Sequence, residues 1–131
     1  MRTEILDYIS TLNLGSFLVS QELPWEESGQ ALFLKNLKKI YVDVAQYQNE
    51  TLIATLSGLN INNETSIVRI LFACDAKQTP ANYDTLVNDL KSAKDITTID
   101  GIRSRQCDVT TDIENDALVT TLEIRFTKIT T

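Results

Sequence analysis

Residues 102–129, IRSRQCDVTTDIENDALVTTLEIRFTKI, decide the fold of this chain. Apolar and polar side chains alternate along the second half of this stretch, and this period of two is typical of a strand with one buried face. The face predicted to be buried carries Leu118, Thr120, Leu122, Ile124, Phe126 and Lys128. Glu114, Asn115 and Asp116 supply a polar turn in front of this strand. The stretch therefore predicts a long C-terminal β-hairpin.

Three earlier segments predict further strands of the same sheet. A strand of about ten residues begins at Leu37, and Glu50–Leu59 and Ser66–Cys74 follow with similar patterns. The connection Asn60–Glu64 is rich in asparagine and predicts a turn. Both faces of Ser66–Cys74 are largely apolar, which predicts that this strand lies at the centre of the sheet.

Two amphipathic segments predict helices that cover the sheet. The first is Thr3–Asn13, which Thr3 caps and Gly15 ends. The second begins at Thr79–Pro80, because proline at the first helical position loses no hydrogen bond. Its apolar stripe consists of Tyr83, Leu86, Val87 and Leu90. The order of elements predicts an α+β fold, in which a mainly antiparallel sheet is flanked by two helices and ends in the long C-terminal β-hairpin. Residues 1–131 are predicted to form a single domain.

The composition argues against several classes of function. The net charge of −6 is unsuited to gripping nucleic acid, whose non-specific binding depends on lysine and arginine. The longest apolar run is short, as in Ala31–Leu34, whereas a membrane-spanning helix needs about 20 apolar residues. Residues Met1–Glu4 have no apolar signal core, so we expect no export by that route and no membrane partner.

No catalytic, cofactor-binding or metal-binding residue is predicted. The chain has no histidine, which removes the Ser-His-Asp and Cys-His mechanisms. Its glycines are too scattered for a phosphate loop, since they lie at Gly15, Gly29, Gly58 and Gly101. Four carboxylates lie close together in the final hairpin, at Asp108, Asp112, Glu114 and Asp116. Their spacing does not match a calcium loop, and solvated carboxylates are the favoured interpretation over a divalent-cation site.

The two cysteines, Cys74 and Cys107, stand among apolar or β-branched residues in predicted strands. We expect small buried hydrophobic side chains there, with a disulfide or a reactive thiol as the alternatives.

Four residues are candidates for a contact between subunits. Trp25 lies in an irregular loop, Pro24–Gly29, after a short predicted strand over Phe17–Leu23. Packing in the core or loop is the first interpretation of Trp25, and a subunit contact is the second, because tryptophan is enriched among interface anchors. The other three candidates are Arg103, Arg105 and Arg125, which are either exposed or paired with carboxylates of this chain or of a neighbour.

Three stretches carry a resemblance to a known family. They are Lys35–Asp43 (KNLKKIYVD), Phe72–Lys77 (FACDAK) leading into the helix at Pro80, and the end of the hairpin around Leu122–Phe126 (LEIRF). With the order of elements, they resemble the small tail-terminator, or tail-completion, proteins of tailed bacteriophages.

This resemblance implies a structural virion protein that forms a homohexameric ring. The ring would cap the head-proximal end of the tail tube, stop tube polymerisation and join the tail to the neck or connector protein. The implied partners are further copies of the chain, the tail tube protein and the neck protein, and genomic DNA would pass through the lumen without specific binding. The implied location is the tail and neck region of the virion, assembled in the host cytoplasm.

Other readings of the sequence remain open. A neck or head-closure component and a tail-tube protein are the nearest alternatives, since they share parts of this fold. A small monomeric module that binds a peptide by strand addition is a further one. An enzyme that uses aspartate or glutamate with a metal is the least favoured, because the sequence displays no convergent set of catalytic groups.

Overall fold

A computed structural model describes residues 1–54, 58, 60–96 and 101–130. The helices are α1 (Arg2–Ile9), α2 (Leu32–Lys35) and α3 (Tyr83–Lys91), and a 3₁₀ turn, Ser92–Asp95, follows α3. The strands are β1 (Leu18–Val19), β2 (Lys39–Ala54), β3 (Asn60–Asp75), β4 (Ile102–Glu114) and β5 (Ala117–Thr130). They form one sheet in the order β1-β2-β3-β5-β4. The predicted α+β fold with a mainly antiparallel sheet is confirmed, and among the described strands only β1 pairs in parallel, with β2.

The C-terminal hairpin agrees closely with its prediction. β4 and β5 pair from Glu114↔Ala117 to Ile102↔Lys128, with one bulge between Ile102 and Ser104. Asn115 and Asp116 form the turn with φ values of 50° and 63°. Positive φ at both central residues is the geometry of a tight hairpin turn, which asparagine and aspartate tolerate better than most residues.

The main core lies on one face of the sheet, which we call the helix face. Along β5, Leu122, Ile124 and Phe126 are buried there, as the alternation predicts. The two longer helices cover this face with Ile5, Leu6 and Ile9 of α1 and Leu86 and Leu90 of α3. β3 is the central strand and is apolar on both faces in its second half, which confirms the prediction for Ser66–Cys74.

The opposite face, which we call the open face, has a smaller core at one end. Phe33 of α2 packs there with Tyr41, Leu71, Ala73, Ala117 and Val119. The sequence identified Ala31–Leu34 only as a brief apolar segment, so α2 is a third helix beyond the two that were predicted. Because its single turn is too short for an amphipathic period, its helical form depends on this packing.

The prediction was wrong about the β2–β3 hairpin. The strand begun at Leu37 and the strand Glu50–Leu59 belong to one strand, β2, as far as Ala54, and the rest of the second segment lies outside the described residues. Asn60–Glu64 is the start of β3 rather than a turn. Two bulges break the period of β2. No described residue between positions 46 and 65 belongs to either buried core, so polar residues are tolerated there and the Asn-rich segment resembled a turn.

The helix ends also differ from their predictions. α1 begins at Arg2, where the N–H of Ile5 already donates to Met1 O, so Thr3 is not its cap. It ends at Ile9 rather than Asn13. α3 begins at Tyr83, because residues 80–82 first form a turn in which the Tyr83 N–H donates to Pro80 O at 3.0 Å. Of the predicted strand Phe17–Leu23, only Leu18–Val19 is a strand.

Candidate functional site

The Pro24 loop and α2 form a small cap over one end of the open face. Trp25 and Ala31 form an isolated antiparallel β-bridge, and the Leu32 N–H donates to Pro24 O at 2.7 Å. These backbone contacts close the loop. The Trp25 ring meets Phe33 edge to face, with 5.9 Å between ring centroids. Trp25 remains 36% exposed. Trp25 therefore packs on its own loop and on Phe33, which is packing of the kind first expected, while part of its surface stays accessible to the second interpretation, a subunit contact.

Arg69 of β3 connects this cap to the sheet. Its guanidinium donates from Nε and Nη2 to the two oxygens of Asp43 on β2, at 3.3 and 3.1 Å. The same guanidinium lies 5.0 Å from the centroid of the Trp25 ring. A planar guanidinium can bind a carboxylate and stack on an aromatic ring at once, which lysine cannot do. The charge of Arg69 is thus compensated inside the fold.

A cleft of about 450 Å³ lies between the cap and the edge of the sheet. One wall is aromatic, with Trp25 and Phe33, and Leu71 and Val119 contribute apolar floor. The other side is polar and belongs mainly to β4 and β5, with Thr110, Thr111, Asp112, Glu114 and Thr121. We call it the Trp25 cleft. Arg69 also lines it, so the cleft combines aromatic and apolar walls with the Arg69 guanidinium and the carboxylates of Asp112 and Glu114.

β4 forms one edge of the sheet, and no strand among the described residues pairs with its outer side. Its side chains on the open face are polar and exposed: Ser104, Gln106, Asp108, Thr110, Asp112 and Glu114. Asp108 stands directly opposite Glu123 of β5. Like charges at paired positions repel, and neither carboxylate is within ion-pair distance of a cation in the part of the chain that the structure describes. This edge is acidic and has unused backbone hydrogen-bonding groups.

β2 forms the other long edge, and only its first residues are protected. The Leu18 N–H donates to Lys38 O and the Ser20 N–H donates to Ile40 O, at 2.9 and 2.8 Å. Arg2 Nε donates to Val42 O at 2.7 Å. Beyond Val42 the strand continues to Ala54 with no described strand on its outer side.

The free part of β2 and most of the β3 residues that pair with it form a surface that we call the arm, residues 44–54 and 60–67. Its base adjoins the start of α1, because Val44, Tyr47 and Glu64 line one pocket with Met1 and Glu4. Three large apolar side chains are exposed on it, Val44 at 46%, Tyr47 at 58% and Leu52 at 48%. Tyr47 donates a hydrogen bond to Glu64 at 2.8 Å, which raises the pKa of the phenol. An unpaired edge beside exposed apolar side chains is a surface suited to contact with another chain.

The structure does not bring the four predicted interface residues into one cluster. Arg103 lies in the β4 bulge and is exposed. Arg125 is exposed on the open face, paired with Gln106. Arg105 points to the helix face instead, where its Nη1 donates to Lys94 O at 2.7 Å and to Ile96 O at 2.6 Å. The guanidinium also lies 6.0 Å from the Phe126 ring, so Arg105 stabilises the end of the 3₁₀ turn.

The remaining candidate groups are dispersed. Within the described ranges, no three carboxylates or cysteines converge on a point that could hold a metal ion. Cys74 is buried and Cys107 half-buried, both are free thiols, and burial raises the pKa of each. No described helix is long and apolar enough to span a membrane.

Sequence reasoning missed the exposed apolar side chains of the arm. Val44 was placed correctly in a strand, but the bulge between Val44 and Gln46 changes which residues follow on each face.

Comparison with known proteins adds no family at this point. No protein-family model matches the chain, and a search of curated proteins found no significant match.

Proposed function

We propose that this protein is a structural component of a phage tail that assembles into a ring, of the tail-terminator type. The ring would cap the head-proximal end of the tail tube and present its other side to the neck. The three stretches that carry the resemblance support this proposal, because they lie mainly in the neighbouring strands β2, β3 and β5.

The observation that carries the proposal is the arm. Exposing three large apolar side chains beside an unpaired strand edge is unfavourable for an isolated chain and promotes association. If the arm of one copy packs on a different surface of the next copy, the contact is heterologous, and such contacts give a ring when the rotation closes. Arg103 and Arg125 are the exposed arginines that this contact would use, since Arg105 is bound internally.

The charge of the chain is compatible with a lumen through which DNA moves. A net charge of −6 per copy gives an assembly that repels the phosphate backbone. The proposal therefore includes a lumen that is negative and makes no specific contact with DNA.

The test is electron microscopy and native mass spectrometry of the purified protein, alone at high concentration and then mixed with isolated tail tubes from the same particle. We expect six-fold rings, or density at one end only of each tube with no further tube growth. Protein that stays monomeric and ignores tube ends contradicts the proposal. Binding to isolated connectors instead of tubes would identify a neck component, and growth along the tube would identify a tube protein.

Variants of the arm test the contact itself. Replacing Tyr47 and Leu52 by serine should reduce ring formation at least tenfold, as expected for loss of apolar anchors at an interface. The melting temperature of the monomer should change little, because both side chains are exposed and the Tyr47–Glu64 hydrogen bond that is lost lies at the surface. Leu23→Ser is the matched control, since Leu23 is 57% exposed but lies outside the arm.

A further inference from the structure

The outer edge of β4 offers backbone hydrogen-bonding groups that no described strand uses. β4 is thirteen residues long and has one bulge at its start, so Ser104–Glu114 is regular in register. Near its end the Ile113 N–H donates to Asp112 Oδ1 at 2.8 Å, which leaves Ser104–Asp112 as the stretch to which a partner strand would add. An extended segment can add to such an edge, with main-chain hydrogen bonds providing affinity and alternate side chains providing selectivity.

The side chains beside this edge define which segment fits. Asp108 and Asp112 lie on the open face on either side of Thr110. Asp108 already faces Glu123, and this repulsion would be relieved by a cation placed next to it. By register, Arg69 stands opposite Glu123 on the other side from Asp108, but its guanidinium is hydrogen-bonded to Asp43. Arg125 lies two positions along β5 from Glu123, opposite Gln106.

The Trp25 cleft opens beside the same residues. Thr110 and Asp112 line it from β4, and Trp25 and Phe33 form its far wall. In an added strand, the residue next to Thr110 would point across the open face towards this cleft, while its neighbours two positions away in each direction would lie beside Asp108 and Asp112.

We infer that the β4 edge and the Trp25 cleft bind an extended segment of a partner protein in which a bulky apolar residue is flanked by a basic residue two positions away on each side. The apolar side chain enters the cleft beside Trp25. The basic side chains pair with Asp108 and Asp112, and the main chain extends the sheet.

The described residues of this chain do not supply such a segment. Its basic stretch Lys35–Lys39 is held in α2 and at the start of β2, with Lys39 paired in the sheet to Leu18. The segment is therefore assigned to a different protein. The inference does not rest on ring formation, because the β4 edge lies on the opposite side of the sheet from the β2 edge of the arm.

Trp25 provides a direct reporter, since it is the only tryptophan in the chain. The probe is a short capped peptide with a central leucine, lysines two residues before and after it, and threonines elsewhere. Titration should change Trp25 emission in a saturable manner, and calorimetry should give the same affinity. Replacing the lysines by glutamates should abolish binding. An unchanged emission together with no heat of binding overturns the inference.

Backbone methylation separates strand addition from general charge attraction. One peptide is N-methylated on the leucine and lysine positions, and a second on the intervening threonines. In an added strand, only alternate residues direct their backbone N–H groups toward β4. N-methylation of those residues should therefore abolish binding, and N-methylation of the other residues should leave it unchanged. Equal binding by both peptides, or equal loss, overturns strand addition.

A charge variant tests the residues themselves. Asp108→Asn combined with Asp112→Asn should weaken binding of the lysine peptide about three- to tenfold, as expected for two exposed ion pairs. The matched control is Asp84→Asn with Asp95→Asn, two exposed carboxylates away from the cleft. Equal weakening by both double variants overturns the assignment. Trp25 emission that changes with protein concentration but not with added peptide would show that the cleft binds a second copy of this chain. That result would also overturn the inference.

Discussion

The carboxylate of Asp43 on β2 receives two hydrogen bonds from the guanidinium of Arg69 on β3, at 3.3 Å from Nε and 3.1 Å from Nη2. Asp43 is only 8% exposed, so it depends on this partner for compensation of its charge. The pair also sets the position of Trp25, because Arg69 lies under that ring.

Replacing Asp43 by alanine should lower the free energy of unfolding by about 1–3 kcal/mol, because it leaves the Arg69 guanidinium partly buried and unpaired. Urea denaturation measures this change. Glu26→Ala is the control, since its ion pair with Lys35 is exposed and should contribute within about 0.5 kcal/mol. Equal losses for the two variants would show that the Asp43–Arg69 pair behaves as an ordinary surface pair.

Replacing Arg105 by methionine should destabilise the protein by about 1–2 kcal/mol, because the carbonyls of Lys94 and Ile96 lose a charged donor. The side chain of Arg103 is exposed in the bulge, so Arg103→Met serves as control. Thermal unfolding distinguishes the two. A larger loss for the Arg103 variant would contradict the assignment of Arg105 as the internal partner.

The hairpin turn offers a stabilising change. Asp116 has φ of 63°, and glycine adopts this conformation without steric cost, so Asp116→Gly should raise the free energy of unfolding by about 0.5–1 kcal/mol. The hydrogen bond from the Ala76 N–H to Asp116 O joins two backbone groups, so the substitution retains it. Asp112→Gly, in the extended part of β4, should have the opposite sign. A destabilising Asp116→Gly would mean that the carboxylate itself has a role.

Burial raises the pKa of the Cys107 thiol, so its labelling by a thiol reagent should reach half its maximal rate at a higher pH than free cysteine does. Because the folded protein then holds this proton more tightly than the unfolded chain, stability should fall as pH rises from the ordinary thiol pKa through the raised one. A Cys74→Ala background isolates Cys107. Labelling as fast as that of free cysteine at neutral pH would contradict this environment.

The sequence predicted well those elements whose pattern reflects one dominant interaction. In β5, burial alone sets the alternation of Leu122, Ile124 and Phe126, and the hairpin was located almost to the residue. The centre of the sheet was recognised in β3 for the same reason. The arm was missed because it lies beyond the core, where cross-strand pairs such as Thr51 with Asn62 replace burial as the organising contact.

The candidate site was less accessible from the sequence. The sequence around Arg105 and Arg125 does not distinguish their roles, but the two residues lie on opposite faces of the sheet. Arg105 donates to backbone carbonyls on the helix face, whereas Arg125 is exposed on the open face. Trp25 was singled out by residue type, whereas its contact with Arg69 depends on a loop closure that no local pattern encodes.

The position of β5 between β3 and β4 governs the order in which the sheet can be made. β5 is the last strand along the chain, yet it is the only described strand that links β4 to the rest of the sheet. During synthesis on the ribosome, the β2–β3 hairpin can form early. The other edge of β3 then has no partner until β5 has been translated. Pairings between distant segments form slowly and leave aggregation-prone edges exposed. A ribosome that pauses before β5 would therefore hold an unfinished sheet, ready to pair with the wrong strand.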